Sequence, residues 1–182
     1  MPRVIFVCIS VLVFFLVVAG GCSFRAGAEP IQVPAEELAI FDEFLLGTVD
    51  LERISFYERG PRGSSAYFYW NDAVFLAPGS AEAYADDPAI YRPVILHELT
   101  HAWQDQHGVG AFLGDDDYAF TLLPEKHLTE YSIEQQAQII SAGYILHELN
   151  NIPVSCRDCG TLGRDAALQI LDRRRDELAD AL

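Results

Sequence analysis

Apolar residues recur at helical spacing in four stretches of the chain, and three shorter stretches read as strands. Leu38, Phe41 and Leu45, with Ile40 and Phe44 beside them, make one stripe behind Pro34-Ala35-Glu36-Glu37. A proline in the first turn and acids at the positive end of the dipole predict a helix that opens there, with Gly47 as its stop. Val94, Ile95, Leu99, Ala102 and Trp103 predict a second helix over about residues 93–106, with Pro93 near its first turn and Gly108 and Gly110 ending it. Ile133, Ala137, Ile140 and Tyr144, widened by Ile139, Ala142, Leu146 and Leu149, predict a third. It starts at Thr129 or Ser132 and is more buried than a surface helix. Residues 166–182 are amphipathic and charge-rich, with Arg173, Arg174 and Arg175 expected on a solvated face.

Between the first two helices, Ile54-Ser55-Phe56 alternates and Ala66-Tyr67-Phe68-Tyr69-Trp70 is strand-like. Asn71-Asp72 can turn the chain into Ala73-Val74-Phe75-Leu76, which Pro78-Gly79 ends. Two strands about a turn predict a small antiparallel hairpin, with residues 73–77 as an edge that could align an extended substrate or simply cover a helix. Ser80 to Ala89 is polar, with room for a helical turn. The expected class is α+β: a mainly helical core with a small antiparallel sheet on the second helix, as a single domain over residues 34–182.

The second helix carries His97-Glu98-Leu99-Thr100-His101. Positions i and i+4 share one helical face, so two imidazoles placed there can grip one divalent ion. Glu98 would project beside them toward a metal-bound water, as a general base. A zinc site for catalysis takes three protein ligands and keeps one position open. The bland alternative is a core helix with two satisfied histidines.

Two residues compete to be the third ligand. His107 has the spacing of His-Glu-x-x-His-x-x-Gly-x-x-His, but Gln104 stands where the chain-bending glycine belongs, and Met1 is the only methionine available for the associated turn. Glu134 lies on the third helix, in Ile133-Glu134-Gln135-Gln136-Ala137-Gln138. A carboxylate from a second, packed helix can complete a His₂Glu site. Gln138, one turn on, could bond a ligand histidine. The alternative is a helix whose glutamate and glutamines face water. Tyr131, His127 and Tyr144 are candidate donors to a developing oxyanion, and Tyr144 is equally a core residue.

His97-Glu98-Leu99-Thr100-His101-Ala102-Trp103-Gln104, with His107-Gly108 and later Glu134-Gln135-Gln136-Ala137-Gln138-Ile139-Ile140, resembles small gluzincin-type zinc metallopeptidases. The likeness is to bacterial proteins described as Rhs- or Vgr-related, and it covers roughly residues 70–150. It implies a minigluzincin-like core in which His97, His101 and Glu134 bind Zn2+ and Glu98 is the catalytic glutamate. Gln138 stands where larger gluzincins often carry an aspartate supporting a ligand. The implied function is a zinc-dependent hydrolase, a peptidase acting on peptide or protein. The alternative is a non-catalytic envelope lipoprotein, or a secretion-system-associated binding protein, with a structural or vestigial metal site.

The amino terminus sets the compartment. Met1-Pro2-Arg3 is a basic start, and Val4 to Ala19 is apolar except for Ser10. That length suits a signal peptide over residues 1–21 rather than a membrane span. Ala19-Gly20-Gly21-Cys22 resembles a bacterial lipobox, with Cys22 the residue to be lipidated and residues 22–33 a linker. Cleavage after Ala26-Gly27-Ala28, or an uncleaved anchor, are the competing exits. All three place the domain outside the cytoplasm, in the cell envelope on its periplasmic or extracellular side. The formal net charge of −15 argues against nucleic acid as a partner, and removal of residues 1–21 would delete one base, Arg3, and no acid. Of four cysteines, Cys156 and Cys159 form a Cys-x-x-Cys. In an oxidising compartment a short disulfide is the first reading, free thiols the second and a redox or metal site the third. Gly114-Asp115-Asp116-Asp117-Tyr118 is acidic but lacks the spacing of a calcium loop, so a solvated loop is expected.

Overall fold

The apolar run Ala73-Val74-Phe75-Leu76 is buried along its whole length, and the sheet is built around it. In the computed structural model, which describes residues 28–58, 68–69, 71–109 and 117–181, that run is a central strand. The element order is β1 (Glu29–Ile31), α1 (Ala35–Phe44), β2 (Ser55–Glu58), β3 (Phe68–Tyr69), β4 (Ala73–Leu76), α2 (Ser80–Asp86), α3 (Pro88–His107), α4 (Ile133–Glu148), α5 (Cys159–Leu162) and α6 (Arg164–Asp176). The protein is mainly helical, α+β, with one small sheet in the order β1-β2-β4-β3. The signal segment, the lipidation candidate Cys22, Gly110 and the acidic residues 114–116 lie outside the described residues.

The sheet is mixed rather than wholly antiparallel. β3 and β4 form the expected antiparallel hairpin, with Tyr69 opposite Val74. Asn71 and Asp72 between them both have positive φ, 46° and 57°, as a two-residue type I′ turn requires. On its other side β4 pairs in parallel with β2. Strand β4 is therefore interior, and residues 73–77 are not an open edge; among the described residues β3 is the outer strand on that side. A run of four apolar residues without alternation is what a strand covered on both faces needs. Residues 29–31, placed in the linker by sequence, form β1 and pair antiparallel with β2.

Helix α3 starts five residues before Pro93. Pro88 occupies its first turn and Pro93 lies inside it. One proline so near the amino end removes a single backbone bond, which the rest of this 20-residue helix tolerates. Gly108 ends it in the left-handed conformation at φ 66°, and the N–H of Val109 donates to the Gln104 carbonyl at 2.8 Å. Ser132 caps α4 through a reciprocal box with Gln135. The buried faces of α3 (Ile95, Leu99, Ala102, Trp103) and α4 (Ile139, Ile140, Tyr144) belong to one core, and the two helices pack together. Val94 is only half-buried. On α6 the period that buries Ala167, Ile170 and Leu171 also buries Arg174, at 2 % exposure. This corrects the expected solvated face at Arg174, while Arg173 is exposed. Arg174 donates to the Pro124 carbonyl at 2.8 Å and pairs with Glu177.

Four helices meet at one ion pair. Arg92 on α3 donates to both carboxylate oxygens of Glu37 on α1, at 2.7 and 2.8 Å. It also donates to the Tyr144 hydroxyl on α4 at 3.2 Å, and the Tyr84 hydroxyl on α2 donates to Glu37. The Arg92 hydrogen bonds hold the Glu37 carboxyl below its ordinary 4.5, against the effect of burial. A carboxyl lowered in this way stabilises the fold above the unfolded pKa, and the contribution is lost as pH falls through the lowered value. Glu37→Gln should therefore cost on the order of 2 kcal/mol at pH 7 in urea denaturation. The gap between variant and wild type should narrow steadily below pH 4.5.

Candidate metal centre

The middle of α3 places His97 and His101 one turn apart, and the first turn of α4 brings Glu134 to them. The His97 Nε2 lies 3.2 Å from the His101 Nε2 and 3.2 Å from the Glu134 Oε2. The third side of the triangle, His101 Nε2 to Glu134 Oε2, is 3.4 Å. Ligand atoms at tetrahedral corners about 2.0–2.1 Å from a zinc ion stand about 3.3–3.4 Å apart. The three side chains form one group able to hold a metal ion, and their spacing fits zinc with a fourth corner left over.

The proton positions on His101 follow from its neighbours. The Gln104 amide nitrogen donates to the Ile133 carbonyl at 3.0 Å and to the Gln136 Oε1 at 3.0 Å. Gln136 in turn donates to the Tyr131 carbonyl at 2.8 Å. Carbonyls only accept, so the Gln104 Oε1 is the atom that faces the His101 Nδ1, at 2.8 Å. Nδ1 must then carry a hydrogen, which leaves Nε2 as the atom turned to the other two and free to ligate once it gives up its own hydrogen. The Nδ1 of His97 is buried and has no hydrogen-bond partner among the described residues. Its ring lies nearly parallel to that of Tyr118, with centroids 5.9 Å apart.

Charges divide along the same lines. Burial holds His97 below its ordinary pKa and therefore neutral, as a metal ligand must be. Burial also lowers His101, but its hydrogen bond to Glu134 and the charge of Glu98 outweigh that and raise it. For Glu134 burial works upward, and the hydrogen bonds from His101 and His97 prevail, holding it at about 2. Glu98 is 5 % exposed, and burial pushes it up to about 7. The charge of His101 and a backbone hydrogen bond from Tyr69 in β3 oppose that rise. The two carboxylates thus differ in kind: Glu134 is a fixed anion, and Glu98 sits where it can take and return a proton near neutrality.

The other sequence candidates lie elsewhere. None of the described hydrogen bonds to either histidine comes from Gln138; Gln104 and Gln136 orient His101 instead. The Tyr131 hydroxyl donates to the Thr121 carbonyl at 3.2 Å and accepts from the Leu123 N–H at 3.1 Å. His127 caps the turn Leu128–Glu130 and faces Glu177 and Asp180. Tyr144 is in the core on Arg92. His107 bonds through Nε2 to the Thr48 carbonyl at 2.7 Å and fastens the end of α3. Cys156 and Cys159 are disulfide-bonded. Gln104 read in sequence only as a missing glycine; a buried amide three residues past a ligand was the available signal. Tyr118 gave none.

Over 81 residues the chain is 36% identical to the type VI secretion system spike protein VgrG2b of Pseudomonas aeruginosa. The match covers 38% of this chain and 8% of that relative's length. No family model matches the chain, and no solved structure matches it. The chain therefore shares a segment with a Vgr-type spike protein, of which it spans a small fraction.

Gln104→Leu keeps the bulk of the side chain and removes both ends of the amide relay. Zinc affinity, measured by competition with a chelating dye, should fall about 10–100-fold, with α-helical content unchanged.

Proposed function

We propose that this chain is an exported zinc-dependent hydrolase, a peptidase, with His97, His101 and Glu134 as metal ligands and Glu98 as general base. The observation that carries the reading is the triangle of donor atoms at tetrahedral spacing beside a buried glutamate whose pKa is pushed up to about 7. Zinc held there would keep one position open, lower the pKa of a water toward about 7 and polarise a carbonyl. Glu98 takes a proton from the attacking water and delivers it to the leaving amine. The backbone of Tyr69 in β3 lies against Glu98, and β3, the outer strand among the described residues, can align an extended peptide toward it. Gln104 and Gln136 keep His101 in the tautomer that ligation needs. Export rests on the apolar segment over residues 4–19, with Cys22 as the lipid anchor.

A second reading is favoured by the shared segment with a secretion-system spike protein. Here the domain serves a type VI-like assembly as a binding module, and the metal is structural. Zinc bound without cleavage of any peptide would favour it.

The two are separated by zinc analysis and a peptide-library cleavage assay on the mature chain. Glu98→Gln should bind zinc as wild type does and lose cleavage by about 10²–10⁴-fold. His101→Ala should lose the zinc itself. Equal cleavage by wild type and Glu98→Gln would remove Glu98 from the reaction.

A further inference from the structure

We infer that Tyr118 forms one wall of the substrate site and selects peptides with an aromatic or apolar residue beside the cleaved bond; this rests on the hydrolase reading. Tyr118 is 47 % exposed, and its ring lies against that of His97. Two residues on, Phe120 is 1 % exposed. The segment thus buries one aromatic as an anchor and leaves the other half in water next to a metal ligand. An aromatic face in that position offers an apolar side chain of the substrate something to stack on.

The position of Tyr118 is built, not incidental. The loop closed by the Cys156–Cys159 disulfide grips the segment from one side. The N–H of Phe120 donates to the Ser155 carbonyl at 2.9 Å, and the N–H of Arg157 donates to the Phe120 carbonyl at 2.9 Å. The Leu122 N–H donates to the Asp158 carboxylate at 3.0 Å, and Arg157 pairs with Asp117 at 3.1 Å. From the other side, Gln135 on α4 donates to the Ala119 carbonyl at 2.9 Å. That bond ties the segment to the turn that carries Glu134. The disulfide loop is thus a bracket for the substrate wall.

The test is calorimetric binding of two small hydroxamates to the zinc-loaded mature protein. Acetohydroxamate probes the open metal position alone, and benzohydroxamate adds an aromatic ring. Wild type should prefer the aromatic probe. Tyr118→Ala should lose that preference by up to about tenfold, with acetohydroxamate affinity and zinc content unchanged, and Tyr118→Phe should keep it. The double variant Cys156→Ser/Cys159→Ser should weaken the preference in the same way. Equal binding of benzohydroxamate by wild type and Tyr118→Ala overturns the wall, as does an equal loss of both probes. A double variant with full preference overturns the bracket. Zinc-loaded wild type that binds neither probe has a closed centre, and that result removes the hydrolase reading along with this one.

Discussion

The amide of Gln104 joins the two helices on which the candidate metal centre depends. Its oxygen faces His101 on α3, and its nitrogen reaches the Ile133 carbonyl in the first turn of α4, next to Glu134. Apolar packing brings α3 and α4 together, but packing is tolerant of small slides. Donor atoms 3.2–3.4 Å apart are not. A directional bond beside the ligands turns an approximate contact between helices into a defined one. Arg92, which links α3 to α1 and α4, does the same further along the helix.

One fold also gives two neighbouring glutamates opposite pKa shifts. Glu134 faces two imidazoles and stays ionised; Glu98, next to one of them in sequence, is shut in against β3 and rises toward neutrality. Burial acts upward on both. The number of donors around each decides the outcome.

Much of this was legible in the sequence, and the rest was hidden for physical reasons. The spacing of His97 and His101 on an amphipathic helix, and Glu134 on a second apolar helix, follow from the period of 3.6. The α+β class and the Asn71-Asp72 hairpin follow from patterning and turn chemistry. The parallel pairing of β2 with β4 does not, because alternation within a strand says nothing of its neighbour. The exchange of Gln138 for Gln104 and Gln136 has a similar cause. One helical turn fixes which face a glutamine occupies, but the partner depends on how the second helix is rotated. Arg174 misled because a run of three arginines looks solvated, although its buried face was set by Ala167, Ile170 and Leu171.

The hairpin turn is fastened at several points. Asp72 accepts from Ser55 through its carbonyl and pairs with Arg53, while the Tyr69 hydroxyl donates to Asp105 near the end of α3. Tyr69 of the hairpin contributes to the surroundings of Glu98, whereas His97, His101 and Glu134 are placed by α3 and α4 alone. The candidate ligands and the candidate base are therefore placed by different parts of the fold. Under the proposed function, a lineage could let the hairpin drift and lose hydrolysis while His97, His101 and Glu134 stayed together, so metal occupancy in such a descendant would be no proxy for turnover.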